Sequence, residues 1–203
     1  MMDRCNRLSV KGGKQVSESN WNSPAPGELE LVRRFLNTWR IPDRTREAAD
    51  ELPALLGDER AWEERFPDWP PGDDEELLRR LRDDLRGALD ATGGWVERLN
   101  GWLEGYPMIA RVVEEGGEPS IRYEPSAEAG IAGRILAAVA KSVGEGTWPR
   151  LKACPDCRWV FYDKSRSKTR VWCGMYAGKG GRACGTIAKV KRYRQKRRGI
   201  AST

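Results

Sequence analysis

Cys154-Pro-Asp-Cys157-Arg-Trp-Val-Phe-Tyr-Asp163, followed by Cys173 and then Cys184, is the stretch that decides how this chain is read. A Cys-x2-Cys pair can turn two sulfurs towards one ion, and two more cysteines within about thirty residues complete the four donors of a tetrahedral site. Arg150-Leu-Lys152 reads as a strand entering the knuckle, and Arg158 to Asp163 as its return. On that return strand Trp159 and Phe161 alternate with Val160 and Tyr162, so one face can cover the site. The chain has no histidine, which leaves thiolates and carboxylates as the available ligands and removes Ser-His-Asp and Cys-His catalysis. Four thiolates suit zinc or an iron–sulfur cluster. The hairpin and the spacing favour Zn²⁺ on Cys154, Cys157, Cys173 and Cys184, in a closed and therefore structural site. Lys152, Arg158, Arg170 and Arg182 are expected to offset the net negative charge of such a centre. A module of about fifty residues has too small a core to fold alone, so metal binding is expected to supply much of its folding free energy.

The net charge of +6 conceals two electrically different parts. From Thr147 onwards there are 16 Lys and Arg against Asp156 and Asp163, a balance of +14, while the remainder carries −8. The basic part ends in Lys189-Val-Lys-Arg-Tyr-Arg-Gln-Lys-Arg-Arg198. Gly185 to Arg198 reads as a helix that begins at the fourth cysteine. Lys189, Arg192 and Lys196 share one face of it, and Lys191, Arg194 and Arg198 an adjacent one. Together with Arg197 these are the candidate phosphate contacts. Ile187 and Val190 are expected to pack on the metal module, and Tyr193 to make a packing contact rather than to stack on a base.

Upstream, residues 1–27 are rich in Ser, Asn, Gly and Lys and read as a disordered leader with a free thiol at Cys5. Residues 28–145 read as a mostly helical domain with one hairpin, and 146–199 as the metal module. Leu29, Val32, Phe35, Leu36 and Trp39 mark a helix over 28–39, closed by Pro42, with Asn37 and Thr38 able to satisfy orphan carbonyls or a neighbouring turn. Two short helices split by Gly57 follow in 44–69. Asp73-Asp-Glu-Glu76 is an acidic first turn for a helix running to Leu89 on Leu77, Leu78, Leu81, Leu85 and Leu89. Trp95 to Glu104 is expected to bury Val96, Leu99 and Leu103. Residues 108–113 and 120–123 flank Gly116-Gly117 as a hairpin. A last helix from Ser126 or Glu128 to Gly144 carries Ile131, Ile135, Leu136, Val139 and Val143 inward. The fold class is thus α+β, mainly α.

Three segments carry a family resemblance: Trp159-Val-Phe-Tyr-Asp-Lys-Ser-Arg166, Arg170-Val-Trp-Cys-Gly-Met175 and Ala188-Lys-Val-Lys-Arg-Tyr-Arg194. Together they resemble the CGNR zinc finger, usually the C-terminal part of bacterial proteins with an N-terminal ABATE domain. Phe35-Leu-Asn-Thr38 and Leu99-Asn-Gly-Trp-Leu-Glu104 are similar to motifs of that domain. The resemblance implies zinc on the same four cysteines and a stress-related transcription regulator. Two features depart from it. The last cysteine reads Cys184-Gly-Thr-Ile187 in place of Cys-Gly-Asn-Arg, and ten residues, not four, separate it from Cys173.

The expected function is a DNA-binding transcriptional regulator, cytoplasmic, with double-stranded DNA as partner. Its acidic helical domain would dimerise, sense an effector or bind a protein partner. A zinc-stapled RNA- or protein-binding module and a thiolate-based redox switch are the alternatives. No membrane partner and no enzymatic activity are expected. With histidine absent, catalysis would rest on Cys, Lys or carboxylates, and no such group stands out from a solvated face.

Overall fold

The computed structural model describes residues 23–200 except 68, 70, 91, 92 and 175–182. The expected leader therefore lies outside the described residues up to position 22. Just beyond it, Ala25 is buried in the main core and donates its N–H to Glu30 at 2.9 Å.

Helix α1 (Leu29–Leu36) buries Leu29, Val32, Phe35 and Leu36, the stripe that the period of 3.6 requires. It stops three residues earlier than its apolar pattern extends. Thr38 Oγ1 donates to the Phe35 carbonyl at 2.8 Å, satisfying a helix-end acceptor. Trp39 instead belongs to a strand, β1 (Trp39–Arg40), paired antiparallel with β2 (Ala49–Asp50). Helices α2 (Leu52–Leu56) and α3 (Glu59–Arg65) follow on either side of Gly57. α3 is capped by Asp58 and anchored by Trp62, whose indole N–H donates to the Trp69 carbonyl.

Consecutive aspartates cap two different helices. Asp74 accepts from the amides of Glu76 and Leu77 at the start of α4 (Glu75–Leu89). Asp73 reaches across to α6 (Gly130–Gly144) and accepts from Ile131 and Ala132 at 2.6 and 2.8 Å. Gly130 is required there: its φ is +57°, and a Cβ would lie 2.3 Å from the Asp73 carboxylate.

α5 (Trp95–Gly105) lies against α4, with the Trp102 indole donating to Asp84. β3 (Met108–Glu115) and β4 (Glu118–Pro125) form the expected hairpin, with Val112 opposite Ile121. Val96 and Val143, expected inside, are 46% and 45% exposed: Val96 lies at the edge of the buried stripe of α5, and Val143 in the last turn of α6. Inside, α4 contributes Leu78, Leu81 and Leu85 and also two arginines. Arg82 is 1% exposed, donating to Asp50 from two nitrogens at 2.6 and 2.7 Å and to Thr38 Oγ1 at 3.0 Å. Arg86 is buried as well.

The last elements are β5 (Leu151–Ala153), β6 (Val160–Tyr162) and α7 (Cys184–Ile200). Trp148, Leu151, Val160 and Tyr162 join the same apolar core as α1, α4 and α6. The hairpin that opens the metal module is thus built into the helical core. The α+β, mainly α class holds.

Candidate metal centre

β5 and β6 pair Ala153 with Val160, and the intervening residues make a tight knuckle. Cys154 donates its N–H to the Trp159 carbonyl, and Arg158 donates back to the Cys154 carbonyl, both at 2.9 Å. Arg158 takes φ +60° to close the turn. Cys173 arrives on the stretch after residue 170, and Cys184 is the first residue of α7. The Gly185 amide donates to the Gly174 carbonyl at 2.9 Å and draws those two segments together.

The four sulfurs lie within 4.8 Å of one another, and all four residues are buried. Cys157 and Cys173 Sγ are 3.5 Å apart, and Cys173 and Cys184 Sγ 3.7 Å. A tetrahedron with Zn–S bonds of about 2.3 Å has edges of about 3.8 Å, so the donor set fits zinc in type and spacing. The ten-residue gap does not keep Cys184 away. The inserted residues 175–182 lie outside the described residues.

Electrostatics points the same way. Hydrogen bonds from Cys157 and Cys173 push the Cys154 thiol well below the ordinary range. Cys157 and Cys173 are pushed up, chiefly by the thiols they face, and Cys184 chiefly by burial. One thiolate is welcome in this pocket, and four are tolerable only around a cation.

Of the expected charge partners, Arg170 meets the site. It lies over the Phe161 ring at 5.0 Å and donates to the carbonyls of Trp172 and Cys173. Lys152 points instead to Asp163 and Arg158 to Asp90, each drawn by a carboxylate. Arg182 is outside the described residues. The alternation on β6 works as its period demands: Phe161 packs with the cysteines, with Trp159 beside it, while Val160 and Tyr162 face the helical core.

The helical region grips the knuckle by its backbone, which the sequence did not disclose. Asn37 Nδ2 donates to the Val160 carbonyl at 2.8 Å, and its Oδ1 accepts from the Val160 amide at 2.7 Å. Arg86 donates to Leu36 O and to Arg158 O, at 2.5 and 2.7 Å. The Ile41 amide donates to Cys157 O at 3.0 Å, and Arg46 to the carbonyl and carboxylate of Asp156. Arg33 and Arg40 flank the Trp159 ring at 5.9 and 5.8 Å. The only signal in the sequence was a polar pair, Asn37-Thr38, at the end of an apolar helix. A partner 123 residues away leaves no local trace.

α7 begins at the fourth ligand, as expected, and has no acidic residue. Lys189, Lys191, Arg192, Arg194 and Arg197 are exposed along it. The side chains of Lys196 and Arg198 are outside the described residues. Ile187 and Val190 are not buried against the module: they are 38% and 42% exposed and border an open groove with Lys191 and Arg194. Tyr193 is likewise uncovered, at 61%, with the Arg197 guanidinium 5.9 Å from its ring.

The CGNR zinc finger family matches residues 150–197, a span that holds the knuckle, all four cysteines and most of α7. With the cysteine cluster, this makes the C-terminal part a zinc-binding module. No curated protein matches the chain.

Proposed function

Proceeding from a closed four-thiolate module of CGNR type, we propose that this protein is a DNA-binding transcriptional regulator, possessing no catalytic site. The observation that carries the reading is α7: a helix without acids that presents five exposed cations among its described side chains and starts at one of the four clustered cysteines. Such a helix suits a groove or phosphate ridge of duplex DNA. Bound zinc would supply the cross-link that holds Cys184, and so the base of α7, against the knuckle. The chain's own residues do the remainder. Asn37, Arg86 and Ile41 set the position of the knuckle relative to the helical region, and α7 neutralises phosphates.

The helical part, in this reading, is an ABATE-like domain that senses a stress signal or a protein partner, as a monomer or a homodimer, in the cytoplasm. Its grip on residues 156–160 gives it a direct mechanical path to the metal centre. Among the described residues no helix is long and apolar enough to cross a membrane.

Fluorescence anisotropy of the zinc-loaded chain with duplex DNA tests the proposal. Affinity should fall steeply with salt, log K against log salt sloping by about −0.9 for each phosphate neutralised. It should collapse on chelation. Binding that survives zinc removal unchanged would refute the role given to α7.

A further inference from the structure

Between β6 and Cys173 the chain forms a loop, Asp163-Lys-Ser-Arg-Ser-Lys-Thr-Arg170. Every residue from Lys164 to Thr169 is exposed. Three of them are cations, and among the described residues the side chains of Lys164, Arg166 and Lys168 have no partner. Around the β3–β4 hairpin, by contrast, cations meet acids: Arg111 faces Glu124, while Arg122 and Lys141 converge on Glu115. Here the one acid, Asp163, is fully buried and turned inward.

The loop is nevertheless tied down closely. The Asp163 carboxylate accepts from the Ser165 amide at 2.9 Å, Ser165 Oγ at 2.6 Å, the Arg170 amide at 3.0 Å and Lys152 Nζ at 2.8 Å. Burial alone would raise its pKa, but these donors hold it at about 2, so the anchor stays ionised. Lys152 also donates to the Arg170 carbonyl at 3.0 Å and to that of Lys168. Arg150 donates to the carbonyls of Asp163 and Ser165 at 2.9 and 3.1 Å. Lys168 is held at φ +54°, a left-handed backbone unfavourable for a residue with a Cβ. Such fixing adds nothing to the apolar core, since these side chains point to water. It does fix the backbone that carries three like charges close together in sequence, which suits a ligand that is itself a row of anions.

The loop also lies beside the proposed DNA-binding helix in the chain's wiring. Its last residue, Arg170, donates to the Cys173 carbonyl, and the Cys173 sulfur is 3.7 Å from that of Cys184, where α7 begins. Loop and helix leave the metal centre from neighbouring ligands.

We propose that Lys164, Arg166 and Lys168 form a second phosphate-binding site for duplex DNA, a rigid clamp held by Asp163 and acting alongside α7. This rests on the DNA-binding reading of the module. The two elements have separate roles. α7 extends along the duplex, and the loop fixes the angle at which the metal module sits on the phosphates.

The test is anisotropy of the full-length, zinc-loaded chain on a labelled duplex of mixed sequence, over a range of salt. The triple variant Lys164→Ala, Arg166→Ala, Lys168→Ala should keep its zinc and its circular dichroism. It should bind at least about tenfold more weakly, with a salt slope shallower by about 2 to 3. The charge-preserving triple Lys164→Arg, Arg166→Lys, Lys168→Arg should restore the slope. An unaltered slope in the alanine triple, while the parent chain binds, would overturn the clamp and leave the role of α7 standing. No duplex binding by the parent chain would overturn both.

Discussion

Cys154 and Cys157 sit in a hairpin that the helical region grips by its backbone, whereas Cys173 and Cys184 sit on segments tied to that hairpin and to each other. In the first half, the amide or carbonyl groups of residues 156, 157, 158 and 160 are taken by Arg46, Ile41, Arg86 and Asn37. Val160 and Tyr162 continue the main core. In the second half, Arg170 holds the Cys173 carbonyl and the Gly185 amide meets Gly174, after which α7 runs into solvent. The metal is therefore not equally needed by its four ligands. Two are positioned by a core that exists without it, and the other two are brought to them.

Removing the metal should separate the halves, and this is the largest effect expected. Structural zinc is worth on the order of 10 kcal/mol or more in free-standing fingers. Here that energy should fall mainly on the second half. Under a strong chelator, hydrogen exchange at the amides of Gly185 and Ile187 should speed up by at least about a hundredfold, close to 3 kcal/mol. The amides of Cys154 and Val160 should change by less than about tenfold. If Val160 opens together with Gly185, the helical grip depends on zinc and the contrast fails.

The converse experiment breaks the grip and leaves the metal. Asn37→Ala strips the Val160 amide and carbonyl of their side-chain partner at a residue that is fully buried. Each unsatisfied group costs about 1–3 kcal/mol. Arg33, whose guanidinium stands 3.4 Å from the same carbonyl, can offset part of the loss. The expected destabilisation is about 2–3 kcal/mol by urea unfolding of the zinc-loaded chain. Asn37→Asp keeps the acceptor and loses the donor, so it should still damage the site. A loss below about 0.5 kcal/mol would mean that apolar packing alone docks the hairpin.

How far this was legible in the sequence follows the same division. The convergence of the four cysteines, the knuckle and the inward and outward faces of β6 were readable, because spacing and a period of two are local properties. So were the 108–125 hairpin and the leucine stripe of α4. What escaped was the docking. Asn37, Arg82 and Arg86 are polar residues whose meaning lies in partners across the fold, and no periodicity marks an arginine that serves a carbonyl on another element. The exposure of Ile187, Val190 and Tyr193 escaped for the opposite reason: an apolar residue on a helix implies a cover, and only the path of α7 shows that it has left the core behind. By charge the chain has two electrically different parts, yet the basic and acidic parts share one apolar cluster. Net charge describes the solvent-facing atoms and says little about what is shared beneath them.

The smallest effect should come from the most conspicuous contact between the two regions, the ion pair of Arg158 with Asp90 at 2.5 Å. Both side chains keep access to water, at 24% and 35%. Pairs of this kind contribute about 0.2–1 kcal/mol and are screened by salt. The Arg158 carbonyl, by contrast, is held from the inside by Arg86, which also donates to the end of α1 and lies 4.7 Å from the Trp39 ring. Asp90→Asn should therefore cost about 0.5 kcal/mol at low ionic strength, and the difference should vanish near about 1 M salt. A cost above about 1.5 kcal/mol that persisted in high salt would show the knuckle to be held by its surface charges. The case for a backbone grip would then have to be given up, since the same hydrogen bonds would be present and insufficient.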